Sequence, residues 1–435
     1  MKKIPYILLL LLTLHAAVSA QEILSLEDAI AIALKHNYDI RLVSNNVDIA
    51  KNNVNIANAG MLPSISGNVS TSAGIQNTTQ TLLEGETRSL KGARSTSTAY
   101  GASLDWTIFD GFQMFTRYDQ LQELKKLGDV NLKQAILSTV YNVISGYFDL
   151  VQQQQQLNAL RTALDLSKYR LQMAENRYQI GRASKLEVLA ANVDLNTDTT
   201  NLMRQHVNYG NAKIRLNEIL ARDVNTPFEI SDSILIENDL KYDNLMNLAL
   251  QHNPDLQAAL INRRISQLNL KIVKGQRYPV INASSSYTRN RSTTELGFAT
   301  NNQTNSFNYG LSASVNIFNG FLQKRNERNA ALEVDNASIN LEKINQSLLS
   351  QLSSAYQTYL TNLELVDLEK KNQLIAKQNM DITFDKYRLG SITPLEFREA
   401  QRNYVDASVR FSNAQYEAKM AEIALKQIAG SLTMK

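Results

Sequence analysis

The stretch YQIGRASKLE at Tyr178–Glu187 returns 209 residues later as YRLGSITPLE at Tyr387–Glu396. Gly181 and Gly390 stand where the end of a helix favours a left-handed backbone, so each copy predicts that one helix ends there. The pattern Ser/Thr-x-x-Glu that follows is typical of a capping box, which begins a new helix. Each stretch therefore predicts a short turn between two antiparallel helices.

The predicted capping boxes pair Ser184 with Glu187 and Thr393 with Glu396. In such a pair the hydroxyl accepts a hydrogen bond from a backbone N–H of the first helical turn, and the carboxylate accepts one from the N–H of the cap. Pro394 suits the first helical position, where its missing N–H costs nothing. We expect the return helices over about 185–220 and 394–429.

The turn belongs to a repeat that covers most of the chain. Three further landmarks recur in the same order, two at a spacing of 216 residues and one at 209. They are Ile32–Ile40 with Leu248–Leu256, Pro63–Ile65 with Pro279–Ile281, and Ile108–Phe112 with Ile317–Phe321. The spacing changes between Pro63 and Phe109, which predicts a longer loop in the first copy. A repeat of this length is a duplicated half, and both halves should share one fold.

Each half begins with helical periodicity and then changes to alternation. Amphipathic helices are predicted at 26–36 and 242–252, each followed by a second helix. Apolar and polar residues then alternate through Tyr100–Ile108 and Phe307–Ile317, as in strands with one apolar face. The weaker partner strands are expected at about 64–74 and 280–290, and polar loops at 78–95 and 291–305.

Two long stretches without proline come next, Gly111–Tyr178 and Gly320–Tyr387, each with its ends 67 residues apart. At 1.5 Å per residue, each would form a helix about 100 Å long. Helices of this length belong to coiled coils or similar extended assemblies. The predicted fold is therefore mainly α, and each half adds one β-hairpin and one long helical hairpin.

The N-terminus has the pattern of a secretory signal peptide. Basic Met1–Lys3, the short apolar run Ile7–Leu14 and small residues before position 21 predict cleavage after Ala20, with an uncleaved anchor as the alternative. No later stretch approaches the ~18 apolar residues of a membrane helix, so a membrane crossing would need strands. The expected divisions are a signal peptide at 1–20, a first repeat at 21–222, a linker at 223–241 and a second repeat at 242–435. Within the repeats, β-hairpins are expected at about 64–109 and 280–318, and helical hairpins at about 111–220 and 320–429.

The composition argues against catalysis. The chain has no cysteine, which removes thiol chemistry, thiolate metal sites and lipid attachment through an N-terminal cysteine. His36 and His252 occupy the same position in the two halves, in the last turn of a helix, where an imidazole suits the helix dipole. The 45 basic and 41 acidic residues are too balanced for a nucleic-acid partner. We expect no enzyme activity, no cofactor and no metal.

Two hairpins supply four strands, and a membrane barrel needs at least about eight. Because lipid tolerates no open sheet edge, the chain would contribute its strands to an oligomeric barrel. A sheet packed on the helices in water is the alternative. Aromatic residues near the strand ends, Tyr100, Trp106 and Phe109, favour the barrel. The lipid-facing positions would be Leu104, Trp106, Leu311 and Val315, and the lumen-facing positions Ser103, Asp105, Ser312 and Asn316.

The order helix, hairpin, very long helix, Tyr-x-x-Gly turn and return helix, all duplicated, resembles the TolC family of outer-membrane efflux channels. The match covers nearly all of the chain after Ala20, and the duplicated turn is its most specific motif. The resemblance implies a homotrimer with a twelve-stranded membrane β-barrel and a twelve-helix periplasmic α-barrel. It also implies an equatorial girdle that includes the linker and the C-terminal tail. It places the protein in the outer membrane of a Gram-negative bacterium, with a periplasmic extension.

The activity implied by the resemblance is passive transport through the exit duct of a tripartite efflux or type I secretion system. The partners would be a periplasmic adaptor (membrane fusion) protein, an inner-membrane pump of RND, ABC or MFS type, and outer-membrane lipid. The alternative, which the helices alone would allow, is a periplasmic coiled-coil scaffold or adaptor without a pore.

The resemblance assigns two roles to the helix turns. The adaptor-docking tip would consist of Tyr178, Gly181, Tyr387, Arg388, Leu389 and Gly390. The periplasmic gate would be formed by Glu187, Glu396 and Glu399. Two alternatives stay open at this point: Glu396 also belongs to a capping box, and Glu399 could be a solvated residue facing Arg402.

One position departs from the family pattern. Some members carry a basic residue two positions after the second tip glycine, where it helps to lock the closed state. This chain has Ile392 there. The lock is therefore absent, or it depends on another residue such as Arg182 or Arg388.

Overall fold

The computed structural model describes residues 23–81, 83, 85–231, 233–295 and 299–432. The predicted signal peptide lies outside the described residues. The fold is mainly helical, with one four-stranded antiparallel sheet. In chain order the elements are α1 (Leu26–His36), α2 (Tyr38–Asn53), β1 (Ser64–Thr81), β2 (Thr87–Phe109), α3 (Gln113–Gln179), α4 (Lys185–Ile219), α5 (Tyr242–His252), α6 (Pro254–Gly275), β3 (Val280–Thr294), β4 (Asn301–Ser314), α7 (Leu322–Leu389) and α8 (Pro394–Ile428).

The chain forms two compact units. Of the described residues, one unit contains those up to Ser44, Asn131–Leu256 and those from Asn345, and the other contains those within Asn45–Val130 and Gln257–Ile344. Helices α3 and α7, of 67 and 68 residues, contribute to both units, so the prediction of two very long uninterrupted helices is confirmed. Among the described helices, none combines the length and the apolar character that crossing a membrane requires.

The first unit has its apolar core where α1, α3, α4 and the segment before α5 meet. Along α3 the buried residues recur every three or four positions, as one face of a helix requires. These residues are Leu137, Val140, Val143, Ile144, Tyr147, Phe148, Leu150 and Val151. Leu216 and Leu220 complete the core from the return helix, and Phe228 and Ile234 from the linker. The linker is thus packed into this unit although its described residues form no helix.

Two equivalent asparagines stop the opening helices. Asn37 follows α1 and donates through its amide to the carbonyl of Ile219 at 3.0 Å. Asn253 follows α5 and donates to the carbonyl of Ile428, also at 3.0 Å. Each side-chain oxygen also accepts from a backbone N–H of the helix that follows, so one residue ends a helix and caps the next. The predicted bounds of α1 and α5 are confirmed, with a histidine at each helix end.

The second unit contains the sheet, in the order β1-β2-β3-β4. Each half supplies one hairpin: Ser64 pairs with Asp105 in the first, and Val280 pairs with Ser314 in the second. The two hairpins join through β2 and β3, a pairing that we call the internal seam. Strands β1 and β4 are therefore the two edges of the sheet.

The hairpin strands are longer than the sequence predicted. Strand β1 reaches Thr81 and β2 begins at Thr87, so most of the predicted loop at 78–95 is paired strand. The predicted loop at 291–305 is likewise mostly strand, because β3 ends at Thr294 and β4 begins at Asn301. The extra residues of the first half lengthen strands and not a loop. The cause is long-range pairing, supported by hydroxyl contacts such as Thr71 to Thr98 at 3.1 Å, which alternation in the sequence does not show.

The last strand is shorter than predicted. Strand β4 ends at Ser314, so Val315 and Asn316 lie beyond the strand, and the predicted hairpin end at about 318 is wrong for the single chain. In the first half, the equivalent residues after Asp105 stay in β2 because they pair with β3 across the internal seam. Within the described chain, β4 has no strand on that side.

Candidate functional site: the two helix turns

The two turns have the predicted backbone. Gly181 and Gly390 both have φ of +75°, which a side chain would strain. In the first turn, the N–H of Arg182 donates to the carbonyl of Arg177 at 2.7 Å, and the N–H of Gly181 donates to that of Tyr178 at 3.0 Å. This pair of hydrogen bonds is a Schellman motif, and it ends α3 within one turn. Equivalent bonds end α7.

The capping boxes differ between the turns. In the second, the N–H of Glu396 donates to the Thr393 hydroxyl at 3.3 Å, and the N–H of Thr393 donates to the Glu396 carboxylate at 2.8 Å. In the first, Ser184 accepts from the N–H of Glu187, but the Glu187 carboxylate is not bonded back to it. That carboxylate lies instead 3.9 Å from the Arg177 guanidinium. The prediction of a complete box is confirmed for Thr393 and wrong for Ser184, because an arginine attracts the glutamate.

The backbone N–H and the hydroxyl of Thr393 both donate to Glu396, and they lower the pKa of its carboxyl. A lowered pKa in the folded state means that the carboxylate stabilises the turn above the ordinary glutamate pKa. This contribution is lost as the pH falls through the lowered pKa.

The predicted docking residues divide into exposed and buried ones. Leu389 is 80% exposed, and its neighbour Arg388 is also exposed. In the first turn, Tyr178 is exposed. Tyr387 is fully buried, and its ring stacks on Phe397 with centroids 5.2 Å apart. Burial raises the pKa of the Tyr387 hydroxyl, although nearby Arg177 opposes the shift. In this chain Tyr387 therefore supports the turn from inside and presents no surface for a partner.

Arg177 connects the two turns. Its guanidinium lies 4.8 Å from the centre of the Tyr387 ring, in cation–π geometry, and donates to the Tyr387 carbonyl at 2.7 Å. The same guanidinium is the group that faces Glu187. No residue pattern around Arg177 predicted this role, because its partner Tyr387 belongs to a hairpin far along the chain.

The predicted gate residues also separate. Glu396 and Glu399 are exposed and border one surface depression together with Lys386 and Asn403. Glu399 lies 3.1 Å from Arg402, as expected if Glu399 is a solvated residue that faces this arginine. Glu187 is half-buried and borders a different cavity of about 410 Å³, which also includes Tyr387. The structure thus brings two of the three acids together.

A buried charge cluster lies further along the same helices, and no sequence motif predicted it. Asp198 of α4, only 5% exposed, accepts two hydrogen bonds from Arg398 of α8, at 2.6 and 3.0 Å. The Ser167 hydroxyl of α3 also donates to Asp198, and Arg170 of α3 is paired with Asp194. We define the buried charge cluster as Ser167, Arg170, Asp194, Asp198, Arg398 and Gln401.

Gln401 completes the cluster. Its amide donates to the Ala163 carbonyl at 2.7 Å and to the Ser167 hydroxyl at 3.0 Å. Burial opposes the charge of Arg398, but hydrogen bonds and attraction from Asp198, with attraction from Asp194, raise its pKa. Charges that lie away from water therefore connect α3 and α4 of the first half with α8 of the second half. Spacing in the sequence could have indicated this cluster. Asp194 and Asp198 share one face of α4, and Arg398 and Gln401 share one face of α8.

The residues proposed to replace the missing basic residue at 392 do not form ion pairs within the described chain. This holds for both Arg182 and Arg388, which are exposed. Arg177 and Arg398, in contrast, each contact the other helical hairpin.

Three features distinguish this fold: duplicated helical hairpins, a sheet with two open edges, and helix turns that contain glycine. The profile of the family described as "Outer membrane efflux protein" matches residues 29–222 and 245–431, one segment in each half. The chain belongs to this family, and the predicted resemblance to TolC is confirmed. The protein is located in the outer membrane of a Gram-negative bacterium.

Individual relatives agree with this assignment. The chain is 22% identical over 414 residues to the outer membrane efflux protein BepC of Brucella suis biovar 1 (strain 1330), covering 94% of this chain and 86% of that protein. It is 19% identical to the outer membrane protein TolC of Escherichia coli (strain K12), covering 79% and 72%.

Solved structures show the same fold. The Campylobacter jejuni CmeC outer membrane channel matches with a TM-score of 0.78 at 19% identity, covering 93% of this chain and 85% of that chain. The open state of the Neisseria gonorrhoeae MtrE outer membrane channel matches with a TM-score of 0.72 at 18% identity, covering 94% and 89%.

Proposed function

We propose that this chain is one subunit of a trimeric outer-membrane channel that forms the exit duct of a tripartite efflux or type I secretion system. Transport through the duct is passive, driven by an inner-membrane pump of RND, ABC or MFS type through a periplasmic adaptor. The observation that carries the proposal is the sheet of four strands with both edges open, in a chain of the outer membrane efflux family.

The open edges determine the assembly. Four strands are about half the number in the smallest membrane barrels, and an unpaired edge in lipid leaves backbone N–H and C=O groups without partners. Three copies of four strands give a twelve-stranded barrel, and three copies of the long helices and their return helices give a twelve-helix periplasmic tunnel. The equatorial girdle is then built from parts that include the linker at 223–241.

The faces of β4 support a position in lipid. Phe307, Tyr309 and Leu311 lie on one face and are 65%, 81% and 74% exposed in the single chain. Ser312 and Ser314 lie on the other face. An apolar outer face with a polar inner face is the pattern of a membrane barrel strand. A sheet packed on helices in water would bury the apolar face instead.

The adaptor docks, in this proposal, on the exposed residues of the turns. Leu389 and Arg388 are exposed in the second turn, and Tyr178 is exposed in the first. Gly181 and Gly390 allow these turns to be tight, and Tyr387 holds the second turn from inside. An apolar side chain flanked by a cation is suited to an adaptor surface that offers an apolar contact and an acceptor.

The gate consists of Glu396 and Glu399, six carboxylates in a trimer, with Glu187 in a supporting position behind the first turn. A ring of carboxylates attracts cations and repels anions. The buried charge cluster serves as the closed-state lock that Ile392 cannot provide. It joins α8, which carries the gate acids, to α3 and α4.

The proposed function is tested by location and transport together. Membranes from cells that express the protein are separated by density, and drug accumulation is measured in a strain that lacks its own outer-membrane channel, with a cognate pump and adaptor supplied. We expect the protein in the outer-membrane fraction and lower drug accumulation. Recovery in the soluble periplasmic fraction would favour the scaffold without a pore.

A further inference from the structure

The outer face of the sheet is the face that carries Leu104 of β2. Residues directly opposite on neighbouring strands share a face, so Ile65, Ser285 and Tyr309 also lie on it. Because successive residues of a strand alternate, the face can be followed along all four strands. In the part nearer to the helices, its described side chains carry no charge. They are those of Trp106, Leu104, Ala102, Ile65, Gly67, Ala283, Ser285, Tyr287, Phe307, Tyr309 and Leu311.

Two arginines end this uncharged part of the outer face. Arg289 lies opposite Tyr100 of β2 and Asn305 of β4. Arg291 is two residues nearer to the hairpin turns and lies opposite Thr98. The side chain of Arg289 is half-buried and that of Arg291 is exposed. Residues at this spacing on one face of a strand are about 7 Å apart, so one ligand group can contact both guanidinium groups.

Aromatic residues mark both limits of the uncharged part. At the limit near the helices, the rings of Phe109 and Phe112 pack with their centroids 5.1 Å apart. At the other limit, Tyr100, Tyr287 and Phe307 are 45%, 51% and 65% exposed. Aromatic girdles in these two places are typical of a strand that crosses a membrane.

The spacing of the two limits agrees with the thickness of a bilayer. Phe109 and Tyr100 are nine residues apart, which is about 30 Å along a strand at about 3.3 Å per residue. A strand tilt of about 40° reduces this length to about 23 Å across the membrane, close to the apolar band of about 25 Å in membrane barrels. Arg289, opposite Tyr100, is then at the head-group level of the outer leaflet, because the proposed periplasmic helices are at the other end of the sheet.

The charges of the two arginines are not neutralised within the described chain. Neither Arg289 nor Arg291 forms an ion pair with a described carboxylate. Glu295, the nearest acid in sequence, lies four residues beyond Arg291 and accepts a hydrogen bond from the backbone N–H of Arg94 at 2.8 Å. Gln303, oriented with its amide oxygen toward Arg289, accepts from the arginine Nε at 3.2 Å. Gln303 thus holds Arg289 in place without cancelling its charge.

The surroundings of the two arginines fit a phosphate that is attached to an apolar body. A guanidinium offers two parallel N–H donors, which match two oxygens of a phosphate. The Thr98 hydroxyl and the Asn305 amide lie on the neighbouring strands at the same level and provide further donors. Toward the helices, the outer face offers uncharged and largely apolar side chains, against which acyl chains can pack.

We infer that Arg289 and Arg291 form a binding site for the phosphate group of a lipid in the outer leaflet. The inference rests on the proposed function, because it needs the sheet to lie in the outer membrane. It does not depend on how copies of the chain join, since β2, β3 and β4 of one chain supply the whole site. A trimer would then carry three equivalent sites.

The test measures lipid binding to the detergent-extracted protein by native mass spectrometry, which counts the lipids bound to each particle. The probe is diphosphoryl lipid A, and the reference is lipid A from which both phosphates have been removed. We expect the wild type to bind the diphosphoryl form at least about tenfold more tightly, since one hydrogen bond to a charged group is worth a factor of this size. Arg289→Gln combined with Arg291→Gln should remove this preference, and Arg291→Lys should retain most of it.

The matched control is Arg88→Gln. Arg88 is exposed on β2, nearer to the hairpin turn and opposite Gln80, and its substitution removes the same charge. This variant should bind diphosphoryl lipid A like the wild type. An equal loss of binding in Arg88→Gln would show general attraction between a basic surface and an anionic lipid, and it would overturn the site. If the double variant assembles poorly on unheated gels, Arg291→Gln alone gives the same comparison, because it changes an exposed side chain.

The remaining outcomes are distinct. An unchanged preference in the double variant would overturn the site and leave the channel standing. Displacement of diphosphoryl lipid A by an equal concentration of inorganic phosphate would indicate a site for a soluble anion, and it would overturn the assignment to a lipid. Recovery of the protein outside the outer membrane would overturn the proposed function, and the inference with it.

Discussion

At the scale of single residues, Asp198 is one of the residues that connect the two helical hairpins. It is buried, and it accepts from Arg398 of α8 and Ser167 of α3. Removing one partner of a buried ion pair leaves the other charge away from water without compensation, which typically costs about 3–5 kcal/mol. The buried charge cluster is thus a place where one substitution should change how α8 is held.

We therefore expect Arg398→Met to lower the free energy of unfolding of the helical part by about 3 kcal/mol, because Asp194 and Asp198 lose their shared partner. It should also raise the open probability in planar-bilayer recordings. The control is Lys168→Met, which removes an exposed pair with Asp165 and should change stability by less than about 1 kcal/mol. Wild-type open probability in Arg398→Met would show that the cluster is not the lock.

A second prediction at this scale concerns the gate acids. Glu399→Gln should reduce cation selectivity, measured as the reversal potential across a salt gradient, without lowering trimer stability, because Glu399 has no capping role. Glu396→Gln should reduce selectivity as well and slightly weaken the turn, since a glutamine keeps only part of the cap.

The matched variant for the gate is Arg402→Gln. Arg402 lies 3.1 Å from Glu399 and partly neutralises it, so its removal should increase cation selectivity. Wild-type reversal potentials in both glutamate variants would leave Glu396 with its cap alone and Glu399 as a solvated residue.

Sequence patterns predicted the turn residues well and the buried ones poorly. The positive φ of Gly181 and Gly390 follows from local rules, and the structure confirms it. Leu389, which the family resemblance places at the tip, is exposed. The burial of Tyr387 and the turning of Glu187 toward Arg177 depend on how separate hairpins meet. No local pattern contains that information.

At the scale of elements, each helix turn is a rigid unit with a small exposed surface. A Schellman motif ends one helix, and a cap begins the next within a few residues. Substitutions of exposed residues should therefore alter what the turn binds without altering how it folds.

Leu389→Arg should abolish drug export in the accumulation assay while the amount of trimer stays normal, because it places a charge where the adaptor is proposed to make an apolar contact. Leu389→Met preserves the apolar volume and should retain export. Export by Leu389→Arg at the wild-type level would move the adaptor site to another part of the molecule.

For the strands, the alternation on β4 predicts unequal effects of one charge. Leu311→Arg would place a cation in lipid at a cost of about 2–4 kcal/mol at the bilayer midplane, whereas Ser312→Arg would place it in the aqueous lumen. We expect far less assembled trimer for Leu311→Arg than for Ser312→Arg, measured on unheated gels. Equal amounts would mean that the two faces were assigned the wrong way round.

Most elements were predictable because they depend on periodicity and on caps. The helices were predictable, and so were the start of β1 after Pro63 and the start of β3 after Pro279. The full length of β1 was not, because small and hydroxylated residues such as Ser66 and Thr71 show little alternation, and their partners lie far along the chain. The end of β4 was not predictable either, because pairing with β3 extends the equivalent part of β2, whereas β4 has no such neighbour within the described chain.

At the scale of the whole molecule, duplication explains both the fold and the two open edges of the sheet. Each half forms a hairpin with the same register, and joining two halves still leaves two open edges. Any number of copies joined through β4 and β1 would keep the same seam. Closure is reached when the last β4 meets the first β1, which three copies achieve in the proposed channel.

The central claim is that this closure occurs at three copies. The direct measurement is the protein mass of the detergent-extracted particle, determined by light scattering with the detergent contribution subtracted. One chain with its full sequence has a mass of 48.8 kDa. We predict a particle of three chains, less the residues removed with a signal peptide. A stable particle of one chain would contradict the account.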